Sequence, residues 1–472
     1  MRNLRRGCIR RQLQFLQRQY LQDGEMPLSN LLSESLISGA LKAIEGSWNE
    51  RIYTPLVTLW VFLGQAISAD HSCRAAVARL IAHRVAHGLS ACSARTGAYC
   101  QARMRLPEEF FATIARDLGR QLEDQAEEKW LWKGRHVYMF DGTTTLMPDT
   151  VENRKAYPPT CRQKVNVGLP LVRIGAVFSL SCGVILDLAT AKYAGKGQGE
   201  VTLLRTLSSV FSRGDVLLGD CLMSNWRNLF TMKQRGVDVV TRLNKALRKA
   251  DFSKGKLLGK DDHVVPWPKP WIRGIDRETQ KSMPKYLMVR ECKIEIKQPG
   301  FRTKEIIIVT TLLDPIEYTK EDLAVLYLQR WNNETDLRSI KTEMKMECLR
   351  CKSPELVRNE IWTYAIAYNL IRTTMAQAAN EHNLLPRTIS FKGAMQTLTA
   401  FQPMISTVSS RNESTKELLY EQLLLAIAIH RVADRPNRFE PRRIKRRHKH
   451  YVPLAVPRDE AKRQILKGLT KN

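Results

Sequence analysis

Acidic residues, glycine, patterned cysteines and long apolar runs are all scarce in this chain. Asp and Glu number 47 against 75 Lys and Arg, which leaves a formal net charge of +28 over 472 residues. An imbalance of that size opposes compaction through self-repulsion and attracts polyanions. Nucleic acid is the partner it points to, through phosphate neutralisation and counterion release. A merely basic protein, such as a ribosome-associated factor, is the plainer alternative. Glycine supplies only 25 residues and no low-complexity tract interrupts the chain, while 43% of residues are hydrophobic, which is a globular composition. The most apolar stretch, Ile52–Ile67, carries Thr54, Thr58 and Gln65 and is shorter than a membrane span. A buried helix is expected there, and no membrane partner. The basic N-terminus (Arg2, Arg5, Arg6, Arg10, Arg11) is followed by no apolar signal core, so a cytoplasmic, nucleoid-accessible protein is expected. The ten cysteines are scattered. Only Cys348 and Cys351 have C-x-x-C spacing, and no second pair completes a zinc site, so a chance pair on a helix with reduced thiols is the reading. His83 and His87 stand one helical turn apart without an acidic third ligand, as a packed or solvated pair would.

The length allows two or three domains. Residues 1–125 have helical spacing, clearest through Leu56–Leu63 and Ala75–Leu89, with Asp70 and Ser72 as caps between them. The texture changes after Trp132. Apolar runs at 136–140, 171–178, 182–188 and 215–220 predict strands, and 200–211 predicts a helix, so the class is α/β with a mixed sheet flanked by helices. Residues 237–315 predict strands at 237–243, 263–267, 286–296 and 304–313, a β-rich insertion. A long helix is predicted from about Thr319, with Glu321 and Asp322 in its first turn, and helices continue to about 433. The expected layout is therefore 1–125 helical and DNA-binding, 130–236 and 316–433 the two parts of one catalytic core, and 237–315 the insertion. The tail, 434–472, is dense in Arg442, Arg443, Lys445, Arg446, Arg447 and Lys449 and is expected to be extended, as a DNA-binding arm or a solvated tail.

Three acidic residues stand out. On one helix Tyr327, Arg330, Glu334 and Lys341 fall within a sector of roughly 60°, with Arg338 close to the same line. A stripe of such groups cannot be buried dry. It suits a metal-bearing polyanion, the carboxylate on the ion and the cations on phosphates. A solvated face with an Arg330–Glu334 pair explains it as well. Asp141 and Asp220 each follow an apolar strand, where sheet enzymes place ligands, whereas Asp215 precedes its strand. Two aspartates and a glutamate suit a pair of Mg²⁺ (or Mn²⁺) ions, which together activate an attacking oxygen and stabilise a leaving one.

The spacing Tyr327-x-x-Arg330-x-x-x-Glu334-x-x-x-x-x-x-Lys341 resembles the Y-R-E-K signature of the IS4 family of bacterial insertion-sequence transposases. Asp141-Gly-Thr-Thr-Thr-Leu-Met-Pro-Asp149-Thr resembles that family's first-aspartate motif, and Gly219-Asp220 with Ser224 and Trp226 its second. The block Ala189–Gly199 through Glu200 and the run Tyr53-Thr-Pro-Leu-Val-Thr-Leu-Trp-Val-Phe-Leu are similar too. Cys221-Leu222 departs from the pattern, where Arg or Asn and an aromatic residue are expected. The resemblance implies an RNase H-like core with the insertion between the second aspartate and the glutamate. It implies Asp141, Asp220 and Glu334 on two metal ions, and Tyr327, Arg330 and Lys341 on phosphates. It also implies cut-and-paste transposition through a hairpinned DNA end, in a homodimeric complex with double-stranded inverted repeats and target DNA. A flipped base then stacks on an aromatic residue of the insertion, for which Trp267 and Trp271 are the candidates, and Arg242 is a further phosphate contact. A metal-dependent nuclease on the same fold, and an inactive transposase-derived DNA-binding protein, remain as alternatives.

Overall fold

The computed structural model describes residues 2–22, 28, 31–45, 48, 51–159, 168–295, 305–407, 413–433 and 456–467. Its first part is helical: α1 (Arg2–Arg18), α2 (Glu34–Leu41), α3 (Pro55–Ile67), α4 (Cys73–Ala86), α5 (Gly97–Met104) and α6 (Glu108–Asp124). Local chemistry sets the starts. Thr54 and Ser72 lie in extended backbone, and their hydroxyls accept from the Val57 and Ala75 N–H groups to cap α3 and α4. Asp70 accepts from Ser72 N–H and shapes the turn before α4. That helix stops before Gly88, which is in the left-handed region, and so ends short of the predicted Leu89. His83 and His87 are packed, their rings 4.2 Å apart and His83 also against Phe15 and Trp60. Among the described residues, no helix is long and apolar enough to cross a membrane.

The strands and their helices follow: β1 (Val137–Leu146), α7 (Val151–Ala156), β2 (Leu171–Ser179), β3 (Ile185–Lys192), α8 (Glu200–Thr206), β4 (Val216–Leu218), α9 (Trp226–Gln234), β5 (Asp238–Arg242), β6 (Lys256–Gly259), β7 (Asp262–Pro268), α10 (Arg277–Ser282), β8 (Tyr286–Glu295) and β9 (Glu305–Thr310). The predicted strands are found, with ends moved by a few residues. The exposed β6, whose residues show no apolar alternation, was not foreseen. All nine strands form one sheet in the order β3-β2-β1-β4-β5-β9-β8-β7-β6. β1, β2 and β3 pair antiparallel, while β1, β4 and β5 pair parallel. That order and direction are the RNase H-like arrangement. The insertion is no separate module, because β9 returns to pair antiparallel with β5 and carries β8, β7 and β6 outward as an extension of the same sheet.

The chain closes with α11 (Lys320–Gln329), α12 (Trp331–Arg338), a π turn (Ser339–Glu343), α13 (Pro354–Glu381), α14 (Phe391–Thr407), α15 (Glu413–Ile429) and α16 (Arg458–Leu466). Thr319 and Asp322 form a reciprocal capping box at the start of α11. From Asn359 to Ala379 every residue of α13 is buried, and α13 packs on α3, α6, α15 and β3. One hydrophobic cluster therefore runs from Leu13 through the sheet to Ala428, so α1, α2, α3 and α6 share their core with the sheet, while α4 and α5 pack with Val61 of α3 in a smaller cluster. Each fully buried Leu or Ile in it contributes about 1.5–3 kcal/mol. The tail expectation is corrected in part: Arg458–Leu466 is helical, with Asp459 and Glu460 in its first turn. The Arg442–Lys449 cluster lies outside the described residues.

Close packing of α6 on the sheet depends on Gly119. A Cβ there would stand 2.2 Å from the Ile185 carbonyl oxygen and 3.1 Å from Asn369 Nδ2. Alanine is the better helix former by about 1 kcal/mol. A main-chain carbonyl cannot swing aside, however, and overpacking of this kind costs about 1–3 kcal/mol. Gly119→Ala is expected to lower the unfolding free energy in a urea titration. An unchanged or raised midpoint would mean that α6 and β3 are not in such close contact.

Candidate active site

β1 does not end at Asp141, as the sequence predicted. It continues through the β-branched Thr143, Thr144 and Thr145 and pairs with β2 as far as Leu171. Asp141 therefore projects from within a strand. On its face of the sheet, Thr143 lines a small cavity together with Ile174, Ala176, Leu337, Ile340 and Ile361, so this face looks toward α12 and α13. The opposite face carries α8: a Cβ at Gly175, the partner of Gly142, would come within 3.0 Å of both Leu203 and Phe140.

Asp220 lies two residues beyond β4. Val137 pairs with Val216 and Met139 with Leu218. Continuing both strands by two residues sets Asp141 beside Asp220, on neighbouring chains about 4.8 Å apart. The Thr241 hydroxyl donates to the Asp220 carbonyl, and Gly219 N–H donates to the Val240 carbonyl at 3.0 Å, which ties this corner to β5. Burial pushes the Asp141 pKa up to about 6. The Gly142 N–H and Arg330 oppose the rise, and Glu200 and Asp220 add to it by repulsion.

Glu334 comes from α12. Its carboxylate accepts from Arg330 Nη2 at 2.9 Å, and its side chain is 42% exposed. Burial opposes the charge of Arg330, yet Tyr327, Glu334 and Asp141 outweigh it and raise its pKa, so Arg330 is stabilised by the glutamate and by the first aspartate alike. The single uninterrupted helix of the sequence reading is three segments here. α11 ends at Gln329, α12 starts at Trp331, and Lys341 rides half-buried on the π turn. Tyr327 is buried, which raises its pKa against the pull of Arg330 and Arg242. Arg338 is exposed. Arg242, at the end of β5, donates to Cys221 Sγ at 3.6 Å, so the cysteine that departs from the family pattern has a cationic partner.

Among the described residues, no three carboxylate, imidazole or thiolate groups stand close enough together to hold an ion as they are. The aspartates are neighbours, and Glu334 is engaged by Arg330. The donor chemistry nevertheless fits a hard divalent ion, since Asp141, Asp220 and Glu334 offer only carboxylate oxygens and the aspartates repel one another. Cys348 and Cys351 lie in the connection before α13, not on a helix as predicted.

The two tryptophans of the insertion have different surroundings. Trp267 is 3% exposed. Its indole N–H donates to Glu291 Oε1 at 2.6 Å, and the Arg248 guanidinium lies 4.7 Å over its ring. Burial and these partners give it a packing role. Trp271 is 68% exposed. Sequence reasoning also gave no role to Glu200, at the start of α8. Glu200 leans over Gly142, where a Cβ would come 2.5–2.7 Å from its Cγ, Oε1 and Cδ, and it stands 3.8 Å from Arg173. Burial raises its pKa, Arg173 lowers it and Asp220 raises it again. The glycine directly after Asp141 was the available signal, since a bare position in a strand often marks a close approach.

The family described as "Transposase DDE domain" matches residues 132–370. Over 309 residues the chain is 26% identical to the transposase InsG for insertion sequence element IS4 of Escherichia coli (strain K12), a match that spans 62% of this chain and 64% of that one. It therefore covers slightly less than two thirds of that relative's length. A piggyBac transposase synaptic complex with hairpin DNA aligns at a TM-score of 0.41 and 10% identity over 84% of each chain.

A raised carboxylate pKa has a definite sign in stability. The folded value of about 6 for Asp141 lies above the usual 3.8, so the unfolded state binds fewer protons between those values and stability falls as pH rises through them. Asp141→Asn should therefore raise the thermal midpoint of the metal-free protein at pH 8, with the gain shrinking below pH 6 and vanishing near pH 4. A gain that does not depend on pH would show that the charge of Asp141 is not its source.

Proposed function

Because the chain belongs to the Transposase DDE domain family, we propose that it binds the terminal inverted repeats of an insertion sequence and catalyses metal-dependent DNA cleavage and strand transfer. The observation that carries this reading is Asp141 within β1 and Asp220 just past β4, its parallel neighbour, with Arg330, the partner of Glu334, acting on Asp141. Asp141, Asp220 and Glu334 would hold Mg²⁺ or Mn²⁺, as a pair of ions. Bound there, such ions activate the attacking oxygen and stabilise the leaving one.

The protein's own groups supply the rest. Arg330 is a counter-charge for Glu334, and with the carboxylate holding an ion the guanidinium would be available to a phosphate. Lys341, Arg338 and Arg242 would add cationic contacts to phosphates, and the charges of Arg330 and Arg242 both act on Tyr327. The reaction course we assign is cut-and-paste through a hairpin: a freed 3′-hydroxyl attacks the opposite strand, the hairpin reopens by hydrolysis, and the 3′-hydroxyls then attack target DNA. Trp271, with its exposed ring, suits stacking of a flipped base better than Trp267 does. Such stacking is worth about 1–3 kcal/mol. A homodimer on paired DNA ends is the assembly we assign.

Glu334→Gln is expected to abolish strand cleavage with either metal while leaving gel-shift binding of inverted-repeat DNA nearly intact. Cleavage at the unmodified rate would remove Glu334 from the site. Incubation of the protein with a donor carrying both repeats and a second plasmid separates the classes. Joined ends mean a transposase, whereas nicking alone means a nuclease. Lys341→Ala and Arg330→Ala should each weaken end binding and flatten its salt dependence by about one charge. An unchanged slope in both would sink the phosphate contacts.

A further inference from the structure

The helix that carries Glu334 is short and has irregular backbone at both ends. α12 runs only from Trp331 to Arg338, between the break at Arg330 and the π turn Ser339–Glu343. Such breaks loosen the regular hydrogen-bond ladder and accompany functional positions. The fully buried residues of α12, Asn333 and Asp336, are both polar, and Ser339 at the start of the π turn is buried too. Neither side-chain polar atom of Asn333 has a hydrogen-bond partner. Ser339 bonds back to the Thr335 carbonyl, within its own helical run.

Asp336 is different. It is fully buried, and it accepts from two arginines on other elements. Arg372 of α13 donates at 2.5 Å. Arg387, in the short turn Pro386–Thr388, donates to both carboxylate oxygens at 2.8 and 2.7 Å. The arginines are themselves fixed. Arg372 donates to the Tyr368 hydroxyl at 2.9 Å. Arg387 donates to the Leu180 carbonyl at 2.9 Å and to the Ser179 carbonyl at the end of β2. Gly183, at φ +85°, makes the room, because a Cβ there would come 2.9 Å from Arg372 Cζ and 3.1 Å from Arg387 Cζ. Charge-assisted contacts to a planar fork are directional, so this cluster fixes an orientation as well as a distance. At about 100° per residue, Asp336 and Glu334 point to nearly opposite sides of the helix.

We propose that Asp336 is a positioning residue for Glu334: its double arginine anchor sets the rotation and height of α12 over β1, and so where the Glu334 carboxylate can reach toward Asp141 and Asp220. The inference rests on the reading of Glu334 as a metal-binding carboxylate.

Asp336→Glu tests it, because this change keeps the charge and lengthens the anchor by one methylene. Mn²⁺ binding is read directly by electron paramagnetic resonance, alongside thermal unfolding, inverted-repeat binding and the Mn²⁺ dependence of cleavage. The expected protein is folded and binds DNA ends normally. Its Mn²⁺ affinity is weaker by about 10–100-fold, the range for groups that orient metal ligands, and excess Mn²⁺ partly restores cleavage. A folded variant with unaltered Mn²⁺ affinity and cleavage overturns the proposal. If Asp336→Glu does not fold, Arg387→Lys, which keeps a cation but loses the fork, goes through the same measurements and is judged by the same outcomes. Glu334→Gln is run beside them. Unmodified Mn²⁺ binding and cleavage in that variant place the error in the role of Glu334 and not in the anchor.

Discussion

Carboxylates gathered at one corner of a sheet repel one another, and the surroundings of Asp141 are arranged around that repulsion. The parallel pair β1 and β4 leads into this corner, with Asp141 further along β1 and Asp220 two residues past β4, and α8 brings Glu200 over the bare Gly142. The rise of the Asp141 pKa from 3.8 to about 6, caused first by burial and then by the repulsion of Glu200 and Asp220, corresponds to a penalty on the order of 3 kcal/mol when the group is charged. The backbone ladder of β1, β4 and β5 and the core beneath it hold the groups together regardless. Arg173 and Arg330 moderate the repulsion without neutralising it. A corner built this way favours any ligand that brings positive charge, and the rest of the chain, at +28, favours one that brings negative charge. A metal-bearing DNA end brings both.

Much of this was legible in the sequence, for identifiable reasons. Apolar runs bounded by Gly and Asp marked β1, β4 and β5, and thereby both aspartates. Glu321 and Asp322 marked the first turn of α11 because acidic groups favour the positive end of a helix, a local effect that the Thr319–Asp322 capping box then reinforces. The continuation of β1 past Asp141 was not legible. Thr143–Thr145 have no apolar alternation, and only pairing with β2 makes them a strand. The break at Arg330 and the π turn were hidden because helix periodicity averages over such defects. Asp336 was hidden for another reason: its partners, Arg372 and Arg387, are 36 and 51 residues away and carry no spacing signal. The opposed surroundings of Trp267 and Trp271 were equally invisible, since a Pro-rich stretch gives no face.

The N-terminal helices illustrate how a boundary drawn from texture differs from one drawn from packing. The change after Trp132 is real in composition, yet α3 and α6 both lie on α13, and Gly119 lets α6 approach β3 to backbone contact. Arg358 and Trp362 of α13 both donate to Glu108 at the start of α6. The first part of the chain and the last thus close over one core.

The junction of β5 with β9 has a bearing on how such a chain can diverge. The insertion is grafted through main-chain hydrogen bonds, which are indifferent to side-chain identity, so substitutions at the exposed positions of β8 and β9, such as Tyr286, Met288, Glu295 and Glu305, can accumulate without undoing the graft. Length is another matter. Adding or removing a residue near the junction would shift the register that also seats Asp220 through Thr241. Growth and loss are therefore confined to the far rim at β6 and to the turns between the outer strands. Inheritance can vary the reach of this arm freely while its root stays constant.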